Sequence, residues 1–349
     1  MPDPIRDRPV RFEPPQSTSD EIRSFAHNAS SRRVRVDAPI ERIPVTGDHA
    51  ALAFAQNAQL RAVGAAVAAF DPKPMQARLD AFRERMSGPY LVDGKTVSAP
   101  PAFRMNGGYN PPEPKTHAAV VAATGGRYGE IALAEAGRPS PDQLHRVTQA
   151  LIDAGHLEPG NTDQERVHAM QWKYSVGIDC AGYAQQAFLS AHGAEGQRAR
   201  YGFNPQMVNE SLAGLPRNPH FQKVDPLKAR TGDLFTLLKP APNDVGHAVV
   251  VYANTPLDAA TKAQFEARHP EAKAFFAGGA THDLQVDSSV GGGPTGVGGG
   301  VKREHWFLNE GASPDKRWAH VDHEGRFQVG REPCDPIDGV YRPRSEVAR

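Results

Sequence analysis

The sequence predicts an α+β protein with a mainly helical first part and a mixed second part. Up to Gly155, apolar residues recur at helical spacing between capping signals. Beyond it, one helical segment is followed by short β-branched runs at residues 248–252, 284–286 and 305–308, separated by Gly and Pro. The 349 residues suffice for one large domain or two ordinary ones.

In chain order, residues 1–48 are rich in Pro, Arg, Ser and Asp without apolar periodicity and read as a flexible arm. Residues 49–130 read as a mainly helical region. Within it an Ala-rich helix covers residues 48–70 and a second covers 74–86, with Met75, Leu79 and Phe82 on one face and Pro74 in the first turn. The two are expected to form a helical hairpin. Residues 87–114 read as loop with at most a short strand near 90–92. Ser140 then precedes Pro141, Leu144, Val147 and Leu151 share a face, and Gly155 stops the next helix. Residues 131–349 are taken as one domain.

Composition narrows the function classes. Lys plus Arg and Asp plus Glu number 40 each, so no global field recruits nucleic acid or an anionic membrane, and no nucleic-acid partner is expected. The first twenty residues carry charges and prolines where a secretory signal needs an apolar run, and no later run has the length of a membrane span. The expectation is therefore a soluble chain with no Sec signal and no integral membrane association. Two cysteines, Cys180 and Cys334, exclude a disulfide framework and a four-cysteine zinc site.

Two segments carry the chemistry. In GIDCAGYAQQAFLSAHG, residues 177–193, a cysteine directly precedes a helical pattern in which Tyr183, Ala184, Ala187 and Phe188 face a core. A thiol at a helix start has unpaired N–H groups and the positive end of the dipole beside it, which favour thiolate and can hold an oxyanion. Alone, such a cysteine also fits a small buried core residue. The second segment, residues 228–253, reads as a Gly-Asp turn, a strand, a Pro-rich loop and then His247 at the head of a buried strand, where a general base can sit on a rigid element.

Together, Asp179-Cys180-Ala181-Gly182, Gly232-Asp233-Leu234 and the His247–Tyr252 run resemble, in order and spacing, the NlpC/P60 family of papain-like cysteine peptidases and amidases. The resemblance covers about residues 170–310. It implies a nucleophile helix packed on an antiparallel sheet, Cys180 as nucleophile and His247 as base. A polar residue on the following strand would orient the imidazole, and Asp287 aligns best with it, with His282 and Asp283 as rivals. The chain departs from the family in having Ala181 where a Ser is usual and MQWKYSVG before the cysteine. Residues 254–282 look like an insertion able to serve as lid or specificity element.

The resemblance implies cleavage of amide bonds in peptidoglycan peptides, without cofactor or metal. Such a substrate lies outside the cytoplasm, which suggests delivery by a dedicated secretion apparatus, as for an antibacterial effector with an immunity partner. Rival readings are an acyltransferase or deamidase using the same Cys-His pair on protein or lipid, and an inactive binding module. Other signals are weaker. Gly291 to Gly300 contains Gly-x-Gly-x-x-Gly, but a strand pattern follows it rather than the helix a dinucleotide site needs. His320 and His323 have metal-ligand spacing without a further ligand, and Arg32, Arg33 and Arg35 fit a solvated arm.

Overall fold

A computed structural model describes residues 70–104, 112–203, 212–237, 246–291, 299–313, 316–321, 325–330 and 337–346. The arm, the Ala-rich helix and its hairpin therefore lie outside the described residues, as do Cys334 and His323. Helix α1, Lys73–Met86, carries Pro74 in its first turn and buries Leu79, Phe82 and Met86. A hairpin of β1, Tyr90–Val92, and β2, Lys95–Val97, follows. Its turn is Asp93-Gly94, both with positive φ, the dipeptide a two-residue hairpin favours. The short strand expected near 90–92 is β1, and the loop expected beyond it contains β2, which the Asp-Gly pair signals.

Helices α2, Pro114–Ala123, and α3, Tyr128–Glu135, lead to α4, Pro141–Asp153. Ser140 caps α4 in a reciprocal box with Gln143, and Gly155, at φ +77°, ends it. Replacing Ser140 by Ala is expected to cost about 1 kcal/mol; an unchanged thermal midpoint would contradict that assignment. Helix α5, Asp163–Lys173, is capped by Thr162, and α6 spans Cys180–Ala191.

The second half is an eight-stranded antiparallel sheet in the order β3-β10-β4-β5-β6-β7-β8-β9. Its strands are β3 Phe221–Val224, β4 Leu234–Leu237, β5 His247–Pro256, β6 Ala280–Val290, β7 Gly300–Asn309, β8 Trp318–Val321, β9 Phe327–Val329 and β10 Ile337–Pro343. Strand alternation gives the sheet two apolar faces. Leu234, Ala248, Val250 and Tyr341 pack towards α6 in a core shared with Leu79, Phe82, Leu144, Val147, Tyr183 and Phe188. On the other face, Phe235, Val249, Val251, Val286, Trp306 and Trp318 form a second core. The rings of Phe235 on β4 and Trp318 on β8 lie 5.3 Å apart although three strands separate them in the sheet order. The sheet therefore curls around this second core.

Two expectations need correction. The division at residue 130 falls inside one compact unit, residues 67–349, because α1 packs on α6 and the helices that follow α1 share the same core. The insertion after β5 forms α7, Ala259–Arg268, and α8, Ala272–Ala277, which pack through Phe265, Phe275 and Phe276 on Phe307 and Phe327. It departs from the end of β5 opposite His247, roughly 30 Å along a ten-residue strand, so a lid over residue 247 is not its place.

Candidate functional site

Cys180 opens α6 because Asp179 terminates the preceding extended chain and caps the helix, its carboxylate accepting the Gly182 N–H at 2.6 Å. The approach is fixed by backbone bonds: Ile178 N–H donates to Ala102 O at 3.1 Å, Arg104 N–H to Ile178 O at 3.1 Å and Asp179 N–H to Gly137 O at 3.0 Å. Helix and loop meet so closely that a Cβ at Gly182 would lie 2.2 Å from the Gly137 carbonyl oxygen. Gly182→Ala is accordingly expected to destabilise by about 1–3 kcal/mol, read by denaturant midpoint. A midpoint equal to wild type would show that this close approach does not hold the helix start.

Burial dominates the electrostatics here. Asp179 forms an ion pair with Arg138, Oδ1 to NH1 at 2.7 Å, both side chains being more than nine-tenths buried. Desolvation nevertheless pushes the Asp179 carboxyl up to about 6 against Arg138 and the helix N–H groups. Cys180 is 7% exposed. Desolvation first, and the Asp179 charge second, push its thiol up to about 11, against the N–H groups of Ala248 and Ala181 and the more distant Arg138. The thiolate expected from the helix dipole is thus not the resting form. Alkylation of Cys180 by iodoacetamide should rise about tenfold per pH unit from 7 to 10, because only thiolate reacts. A plateau near neutral pH would instead reveal a preformed thiolate.

His247 is the first residue of β5 and is 9% exposed. Ala248, the very next residue, lies in the core that β5 shares with α6, and its N–H is among the groups that favour the Cys180 thiolate, so α6 and β5 bring the backbones of residues 180 and 247 to one place. The His247 imidazole meets Ser288 Oγ through Nε2 at 3.2 Å, and its ring centroid lies 6.3 Å from that of Trp306. Both contacts belong to the sheet face with the second core.

Asp287, the aligned orienting residue, does not stand at His247. It lies opposite Val250 in the register, on the face towards α6, fully buried, and accepts two hydrogen bonds from Arg303, at 2.7 and 2.9 Å. Arg303 also bonds Asp80 of α1 at 2.9 Å and stacks on the Tyr252 ring. Burial raises the Asp287 carboxyl and Arg303 opposes that rise. The rivals are elsewhere too: His282 Nδ1 meets Thr281 Oγ1 at 3.0 Å and Asp283 meets His305 Nδ1 at 2.9 Å. Sequence reasoning missed Ser288, one residue on, because a one-residue step along a strand changes face. The only signal for it was the small polar pair following Asp287.

The turn residues Gly232 and Asp233 have a structural part: Asp233, fully enclosed, pairs with Arg342 of β10 at 2.7 and 2.9 Å, which fastens the head of β4. The segment read against a dinucleotide site joins β6 to β7, and a strand follows it. His320 is buried on β8, and among the described residues no group of three His, Cys, Asp or Glu is arranged to hold a metal. No helix among the described residues is long and apolar enough to cross a membrane. No family model matches the chain, and neither a curated protein nor a solved structure matches it.

Proposed function

We propose that the chain is a papain-like thiol hydrolase of the NlpC/P60 type, cleaving amide bonds in peptidoglycan peptides with Cys180 as nucleophile and His247 as base. The observation that carries this reading is the junction of two motif pieces. The cysteine at the start of α6 stands against the head of β5, where the backbone N–H of the residue after His247 favours its thiolate, and Nε2 of that histidine is engaged by a polar side chain of the next strand. In the proposed reaction, His247 Nδ1 removes the thiol proton as sulfur attacks the amide carbon. The Cys180 N–H, the first-turn donor that the Asp179 carboxylate does not engage, stabilises the oxyanion. Collapse breaks the C–N bond, the amine leaves with the proton held on Nδ1, and water then hydrolyses the thioester.

A thiol pushed up to about 11 gives this scheme a demanding requirement. At neutral pH the cysteine is protonated, so the base must act in the attack itself. The same observation supports a second reading, an inactive binding module in which Cys180 is an inert core residue. Acid quenching of the protein on purified sacculi, followed by intact-mass analysis, separates the two. The hydrolase carries a peptide acyl adduct on Cys180 that His247→Gln does not form. A wild-type protein without adduct and without released fragments supports the binding module.

A further inference from the structure

We propose that Glu304, acting through Ser288, is the positioning residue that fixes the tautomer of His247 and balances the charge of its imidazolium. The catalytic meaning of this relay rests on the hydrolase reading; the relay itself does not. Ser288 Oγ meets His247 Nε2 at 3.2 Å and donates to Glu304 Oε2 at 3.4 Å. Ser288 is fully buried and Glu304 is 7% exposed. Glu304 Oε1 is in turn held by Lys302 Nζ at 3.1 Å.

Proton counting gives the direction of the chain. An ionised carboxylate only accepts, and a serine hydroxyl has a single proton to donate. With that proton directed to Glu304, Ser288 Oγ accepts from His247, so the imidazole carries its proton on Nε2 and its lone pair on Nδ1. When Nδ1 gains a second proton, the imidazolium has a buried carboxylate one hydroxyl away. Register makes this possible: Glu304 stands opposite Val286 in the β6–β7 ladder, on the face that carries Ser288 and Trp306. The other ionisable groups near the ring stand on β6, β7, β8 and α6. Lys302 of β7 is paired with Glu304, and Asp287 of β6 is held by Arg303 on the opposite face. Cys180 and Asp179 stand at the start of α6, and His320 of β8 lies behind Trp306, ring centroids 6.3 Å apart.

The test is a pH titration of full-length protein with 15N-labelled histidine, observed by long-range proton–nitrogen correlation and assigned by the signals lost in His247→Gln. The wild type should show the Nε2–H tautomer. In Glu304→Gln the midpoint of the His247 titration should move to lower pH by about one unit, as loss of a nearby opposite charge requires, and Glu304→Asp should restore part of the shift. Ser288→Ala, which keeps the carboxylate, should move it in the same direction and guards against a misfolded Glu304 variant. A neutral wild-type ring protonated on Nδ1, or titrations of Glu304→Gln and Ser288→Ala superimposable on wild type, would overturn the relay. Because no substrate is involved, failure of wall cleavage leaves this result standing. Equally, a flat titration leaves Cys180-dependent cleavage untouched.

Discussion

Cys180→Ala should fold as the wild type does yet lose cleavage by about ten-thousand-fold or more, and His247→Gln should lose nearly as much. The thiol is nearly buried at the start of a helix whose cap, Asp179, bonds Gly182 and Arg138 rather than the sulfur. Removing the sulfur atom therefore leaves the helix start intact and deletes only the attacking atom. The two changes should not add, since nucleophile and base act as a unit and either loss leaves only binding and oxyanion stabilisation. Turnover by the double variant at the level of each single variant supports the pair. Additive losses, or a His247→Gln enzyme close to wild type, would remove His247 from the role of base.

Asp287→Ala has the second largest expected effect, on stability. Its carboxylate is fully buried and takes both hydrogen bonds of an Arg303 fork that also reaches Asp80. Truncation leaves that guanidinium short of its closest counter-charge in a largely enclosed site, a loss of about 3–5 kcal/mol. Double-mutant coupling between Asp287 and Arg303 checks the cause, because Asp287→Ala should cost little once Arg303 is also removed. Activity per folded molecule should survive Asp287→Ala and fall in Ser288→Ala. The opposite pattern would return Asp287 to the imidazole.

The parts of the fold legible in the sequence were those set by local chemistry. Ser140, Pro141 and Gly155 bound α4 through caps that need no tertiary partner, and the apolar run of β5 and the alternation of β7 show directly in their residues. Cys180 at the head of a helix was legible for the same reason, since Asp179 supplies the cap. What escaped depended on long-range packing. No sequence pattern says that α1 buries Phe82 against Tyr183, and so a domain boundary was drawn between elements that share one core. Asp287 was expected beside His247 and Ser288 stands there instead, because the two are adjacent in sequence but face opposite sides, which only the β5–β6 register decides. A thiolate was expected at Cys180 because a helix start stabilises charge, whereas burial penalises it more.

The most direct test of the central claim is release of soluble fragments from purified bacterial sacculi by wild type and by Cys180→Ala, with the new ends identified by mass spectrometry. The hydrolase reading requires fragments in which one water has been added across a peptide amide, formed by the wild type and absent with Cys180→Ala. Equal release by both proteins, or none from a wild type shown to be folded, would contradict it.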